Sequence, residues 1–170
     1  GRVSEPISPR RYVAPFRSRL AFAEPIGHAD DITRGLDHLL GDLCDQLSHA
    51  ARGGRRLELT LFRIDGSVQE VAVGTARATR VARHLARLFQ DRLTTLDPGL
   101  GVETMILSAS ATEKLEADQT ILKGEAGDAT ESMGALLDRL GNRLGFGRLH
   151  SLQPGESHLP ESAQRLMPVS

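Results

Sequence analysis

Several things are scarce in this chain of 170 residues. Its single cysteine, Cys44, excludes a disulfide within the chain and fits a reducing compartment. Tryptophan is absent, and one tyrosine and five phenylalanines leave few aromatic platforms on which bases could stack. No apolar run approaches the length of about eighteen residues that a membrane-spanning helix needs. The opening Gly1-Arg2-Val3-Ser4-Glu5-Pro6 has neither a Met nor an apolar signal stretch, so the chain reads as a segment of a longer protein. Lysine is nearly missing, two against nineteen arginines, a bias that GC-rich coding produces as readily as function does.

Enzyme signatures are missing as well. There is no Gly-x-Ser-x-Gly elbow, no Gly-rich loop ending in Lys-Ser/Thr and no Gly-x-Gly-x-x-Gly. His28, His38, His49, His84, His150 and His158 are scattered without metal-ligand spacing. Cys44 follows the core position Leu43 and reads as a boundary thiol rather than a nucleophile. Asp30-Asp31 and Asp42/Asp45 are carboxylate pairs that a helix cap and a solvated helix face explain. No catalytic residue, metal or cofactor is therefore expected.

What is present supports a packed α+β domain: 39% hydrophobic and 25% charged residues. The net charge of −1 hides an asymmetry. Residues 1–100 carry 15 Arg/Lys against 12 Asp/Glu, whereas 101–170 carry 6 against 10. A basic middle and an acidic tail suggest one polyanion-facing surface, although solvated helix faces give the same counts.

Along the chain, Pro6, Pro9 and Pro15 with Arg10, Arg11 and Arg17 read as an extended basic arm over 1–17. A strand over 19–23 precedes a helix capped by Asp30 or Asp31, with Ile32, Leu36, Leu39, Leu40, Leu43 and Leu47 on one stripe and Gly53-Gly54 as its stop. Leu57, Leu59 and Leu61 alternate with Glu58, Thr60 and Phe62, Asp65-Gly66 makes a hairpin, and a partner strand starts at Val68. A loop over 74–79 leads to a helix with Val81, Leu85, Leu88, Phe89 and Leu93, then a strand over 102–109. The order is βαββαβ, a ferredoxin-like unit with an antiparallel sheet, two helices on one face and the other face open. Beyond a loop over 111–127, Asp128 to Glu131 opens a helix over about 130–144 carrying Met133, Leu136, Leu137, Leu140 and Leu144. That stripe needs a surface, on this domain or on another protein. An edge strand is expected over 148–152, and the stretch with Pro154, Pro160 and Pro168 is read as extended.

The open face would present Arg19, Ala21, Arg56, Glu58, Thr60, Phe62, Glu70, Ala72 and Gly74, rimmed by arginines that can hold phosphates of any sequence. A merely solvated or covered face is the other reading.

Phe22-Ala23-Glu24-Pro25-Ile26, the run from Arg55 to Gly66, Val73-Gly74-Thr75 and Leu96-Asp97-Pro98-Gly99-Leu100-Gly101, in that order, resemble the ImuB family, bacterial relatives of Y-family translesion DNA polymerases. The resemblance covers roughly 16–110 as the polymerase little-finger domain, and the rest as the region that follows it. It implies a cytoplasmic adaptor without polymerase chemistry, acting in damage-induced mutagenesis with ImuA, a DnaE-type error-prone polymerase and the sliding clamp. The family's clamp-binding peptide is a Gln followed by apolar residues. Gln46-Leu47-Ser48 and Gln153-Pro154 do not complete that pattern, so no clamp motif is assigned.

The expectation is thus a basic arm (1–17), a little-finger domain (18–112) and an extension (113–170). Arg19, Arg55, Arg56, Arg63, Arg77 and Arg80 are the expected DNA contacts. A protein-docking module is the alternative.

Overall fold

The computed structural model describes residues 16–115, 126–154 and 164–168. The basic residues Arg10 and Arg11 of the arm, and most of the loop expected at 111–127, lie outside the described residues. The first six elements are β1 (Phe16–Ile26), α1 (Ala29–His49), β2 (Arg52–Arg63), β3 (Val68–Thr79), α2 (Ala82–Leu93) and β4 (Val102–Lys114). They follow the βαββαβ order, and the sheet runs β1-β4-β2-β3 with every neighbouring pair antiparallel. The two central strands, β2 and β4, are therefore far apart in sequence, and β1 and β3 form the edges.

One face of this sheet builds the core. Leu57, Leu59 and Leu61 of β2 and Val102, Met105, Leu107 and Ala109 of β4 are buried against Leu36, Leu39, Leu40, Leu43 and Leu47 of α1. Leu85, Leu88 and Phe89 of α2 complete the cluster. Each such side chain contributes about 1.5–3 kcal/mol through burial, which is why the helical stripe and the strand alternation predict the fold so directly. The hairpin is closed by Gly66 N–H to Arg63 O (3.0 Å) and Arg63 N–H to Ser67 O (3.0 Å), with Gly66 at φ +78°.

The boundaries differ from the sequence reading in instructive ways. Asp30 and Asp31 do not cap α1. They sit in its first turn, where their charge suits the helix dipole, and extended His28 is the N-cap. The helix ends at His49 with Ala50 as its C-cap, Ala51 turns the chain at φ +50°, and Gly53 and Gly54 belong to β2 instead. Gly53 is required there by close approach, since a Cβ would lie 2.9 Å from the backbone of Ala78 and Thr79. Val81 precedes α2 as its N-cap and is exposed, so it is not a stripe residue.

The expected loop at 74–79 is strand. β3 continues to Thr79 through an irregularity in which Arg56 pairs with Gly74 and Gly54 with Thr79. β4 likewise runs on to Lys114, because β2 starts early and Arg52 pairs with it. The extension holds α3 (Ala126–Leu144), a 3-10 turn (Phe146–Arg148) and the strands β5 (His150–Pro154) and β6 (Gln164–Pro168). β5 does not join the main sheet as an edge strand. It pairs antiparallel with β6, so Pro154 and Pro168 close a separate two-stranded sheet.

Candidate nucleic-acid interface

The face of the sheet away from α1 and α2 is ordered in rows by the strand register. One row runs Ala21, Thr104, Phe62, Val68; the next runs Arg19, Ile106, Thr60, Glu70; the third runs Arg17, Ser108, Glu58, Ala72. Along β4, Thr104, Ser108 and Ser110 therefore form a stripe of hydroxyls down the middle, interrupted by Ile106, and the register shifts beyond Ser110 end it. Arg17 and Arg19 project at the β1 edge and both are exposed. Glu58 and the exposed Glu70 occupy the β2–β3 half. The face is graded, with positive charge at β1, neutral donors and acceptors in the centre and carboxylates towards β3.

Arg56 is set against this gradient. Its side chain is 60% exposed, but its Nε lies 2.8 Å from Glu58 Oε1, which also accepts from Ser110 Oγ at 2.8 Å. The Arg56 hydrogen bond, helped by Ser110, holds the Glu58 carboxyl below its ordinary pKa. Much of the positive field of Arg56 is spent locally.

Of the six arginines expected to touch DNA, Arg19 and Arg56 share the open face, on β1 and β2 and in different rows. Arg77 is exposed in the irregular stretch of β3. Arg55 is only 18% exposed, with its Nε 3.3 Å from Glu113 Oε1 and a second bond donated to Ala76 O. Arg63 is 15% exposed and ion-paired to Asp65 at 2.9 Å, with its guanidinium packed where a Cβ on Gly99 would fall. Arg80 is half-buried with Nη1 3.5 Å from Leu115 O. Sequence reasoning placed Arg17 in the arm and overlooked the hydroxyl stripe. The signal was there in the period-two run Thr104-x-Ile106-x-Ser108-x-Ser110.

The β3 edge of the face is sealed by the extension. Asn142 Oδ1 accepts from Gly74 N–H (2.8 Å), and its Nδ2 donates to Gly74 O (2.7 Å). Asp138, buried at 4% exposure, accepts from Ala76 N–H and lies 2.7 Å from His84 Nε2 of α2. Arg92 of α2 donates to Asn142 O. α3 thus closes the backbone groups of an edge strand with side chains, one of the ways a sheet avoids stray pairing. Phe146 packs over Gly74 and against Gly141. A Cβ at either would come within 2.8 Å of its ring.

Cys44 is buried, and desolvation with the nearby Asp45 charge pushes its thiol up to about 11. Gln46-Leu47-Ser48 lies in α1 with Leu47 fully buried and the Gln46 amide bonded to Arg17 O, so it is core rather than a free peptide. Among the described residues no three His, Cys, Asp or Glu side chains are grouped to hold a metal ion. Among them, too, no helix is long and apolar enough to cross a membrane.

No family model matches the chain. Among solved structures, DinB from Sulfolobus solfataricus matches with a TM-score of 0.50 at 9% identity, over 59% of this chain and 29% of that one. The little-finger domain of PolIV, in its complex with the beta-clamp processivity factor, matches with a TM-score of 0.46 at 16% identity, over 66% of this chain and 97% of that one. The fold shared with that part of DinB is α+β, a four-stranded antiparallel sheet with two helices on one face, and here it carries an extension. In sequence, the chain is 40% identical over 171 residues to Protein ImuB of Caulobacter vibrioides, in strains NA1000 / CB15N and CB 15 alike. That match takes in 99% of this chain and 37% of the relative's length. The resemblance to ImuB therefore holds along the whole chain.

Proposed function

We propose that this chain is the non-catalytic DNA-binding part of an ImuB-like protein in translesion synthesis, gripping phosphates with the β1–β4 half of its open sheet. The observation that carries the reading is the pairing of exposed Arg17 and Arg19 with the hydroxyl stripe of β4. Arginines supply charge to phosphate oxygens, and serine and threonine hydroxyls add sequence-independent hydrogen bonds. A nearly aromatic-free face suits backbone contact better than base stacking. Arg77 and, after release from Glu58, Arg56 extend the track. Arg55, Arg63 and Arg80 serve the fold, because their guanidinium groups already bond to protein acceptors.

No catalytic step is assigned. Asp31 pairs with Arg34, and Asp42 accepts from Ser18 Oγ at 3.0 Å, so these carboxylates have structural partners. On this reading the domain works in a cytoplasmic assembly with ImuA, a DnaE-type polymerase and the sliding clamp, and the resemblance to ImuB supports it.

Primer-template binding measured over a series of salt concentrations tests the reading. Each phosphate contact contributes about 0.9 to the logarithmic salt slope on duplex DNA. Arg17→Ala with Arg19→Ala should lower that slope by about 2 and weaken binding to every sequence alike. Arg63→Ala should leave the slope unchanged. An unaltered slope in the double variant would overturn the proposed face.

A further inference from the structure

The extension docks on the sheet by the wrong side of its helix. A helix with an apolar stripe ordinarily buries it. Here the residues facing β3 are Asp138, Gly141 and Asn142. The stripe is left out: Met133 is 57% exposed, Leu136 49% and Leu144 50%, with Leu137 and Leu140 half-buried between them. The docking bonds fix the rotation of α3, so this exposure is set by specific contacts to Gly74 and Ala76.

The charges beside the stripe say what would cover it. One flank, towards Gly141, is occupied by Phe146 and β3. On the other, Arg139 and Arg143 lie three and seven residues beyond Leu136 and form a row along the stripe. Both are exposed, and neither is ion-paired among the described residues. Arg148 continues this positive end in the 3-10 turn. Flanking charges of this kind choose the partner of an apolar helical seam. An antiparallel α3 from a second copy would bring the arginine row against itself, which like-charge repulsion disfavours.

We infer that the outer face of α3 is a docking site for an amphipathic helix of another protein, one that carries leucine-type residues on one side and carboxylates along the flank. The apolar side covers Met133, Leu136 and Leu144, and the carboxylates meet Arg139 and Arg143. The contact is independent of the sheet face, so it can form whether or not the sheet holds DNA.

The probe is a fluorescein-labelled eighteen-residue synthetic helix with Leu at positions a and d and Glu at e and g of its heptads, alongside a twin with Lys for Glu. Binding to the whole chain is followed by anisotropy. The Glu peptide should bind at least about tenfold more tightly than the Lys twin, a difference of the size that flanking charges and a few anchors provide. Met133→Ser with Leu136→Ser should abolish binding of both peptides while leaving the melting temperature unchanged, because the residues are exposed. Arg139→Glu with Arg143→Glu, also at exposed positions, should reverse the preference to the Lys twin. Absence of binding, equal binding of the two peptides, or a preference indifferent to the charge reversal would each overturn the inference. So would a dimer in sedimentation equilibrium that disappears with Met133→Ser and Leu136→Ser, which would assign the face to a second copy.

Discussion

The unit from β1 to β4 and the extension beyond it are held by different forces. The first is fastened by a continuous apolar cluster in which Leu39, Leu43, Leu47, Leu57, Leu59 and Phe89 are fully buried. The second is fastened by the side chains of Asp138 and Asn142, which accept hydrogen bonds from the backbone amides of an edge strand, with Phe146 as its apolar wedge. Apolar burial is non-directional and scales with area, so it survives small shifts. A bond to one amide is directional and is lost when the helix slides by part of a turn. The extension is thereby the more separable part, with its own apolar face turned outward.

The largest effect expected from breaking this contrast is in the core. Leu59 is fully buried in a central strand, within the apolar cluster that both helices share. Leu59→Ala should cost about 2–5 kcal/mol, through lost transfer energy and the cavity left behind. Thermal or denaturant unfolding should show one weakened transition for the β1–β4 unit, with α3 lost together with it.

Next comes the seam between the two regions. Asp138→Ala with Asn142→Ala removes both acceptors from Gly74 and Ala76 and strands His84 without its carboxylate. A bond to a carboxylate is worth about 1.5–3 kcal/mol and a neutral one about 1, so the Ala76–Asp138 and Gly74–Asn142 amide bonds together account for about 2.5–4 kcal/mol of the seam. The expected result is local. The Gly74 and Ala76 amides should lose protection from hydrogen exchange while the Leu57, Leu59 and Leu107 amides keep theirs. Uniform loss of protection across the sheet would mean that the two regions fold as one cooperative unit. The wedge has a matching test: Gly141→Ala would place a Cβ 2.4 Å from the Phe146 ring, and should reproduce the same local pattern more weakly.

The same contrast explains what the sequence made legible. Stripes at helical spacing in α1 and α2 and the alternation of β2 are written in residue type, because the core is built from residue type. The docking of α3 is not. Asp138 and Asn142 look like solvent-facing positions in a linear reading, and their acceptors are backbone groups that carry no side-chain signature. The continuation of β3 past Gly74 and of β4 to Lys114 was hidden for a related reason, since the small and polar residues there gain their partners only in the folded sheet. The candidate interface was half legible. Arg19 and Arg56 follow from strand alternation. Arg55 and Arg63 look equally basic in sequence, and only Glu113, Ala76 O and Asp65 show that they are engaged elsewhere.

The smallest effect sharpens the comparison from inside the core, using Cys44 as its reporter. Burial, with the charge of Asp45, raises this thiol from 9.0 to about 11. An acid whose pKa is higher folded than unfolded stays protonated in the native state while the unfolded chain ionises. The native state then binds more protons, so stability falls with rising pH. The contribution of Cys44 should be fully present below about pH 9 and lost progressively as pH rises towards about 11. Other groups titrate in the same range, so the measurement is a difference: the pH slope of unfolding stability of the native chain minus that of Cys44→Ala. A negative difference between pH 9 and 11 is expected. Thiolate is also the reactive form. Iodoacetamide at pH 8.5 should therefore modify unfolded chain much faster than native chain, and Asp138→Ala with Asn142→Ala should leave the native rate as slow as before. A faster rate in that variant would show that detaching the extension opens the core, and the two regions would no longer count as separable.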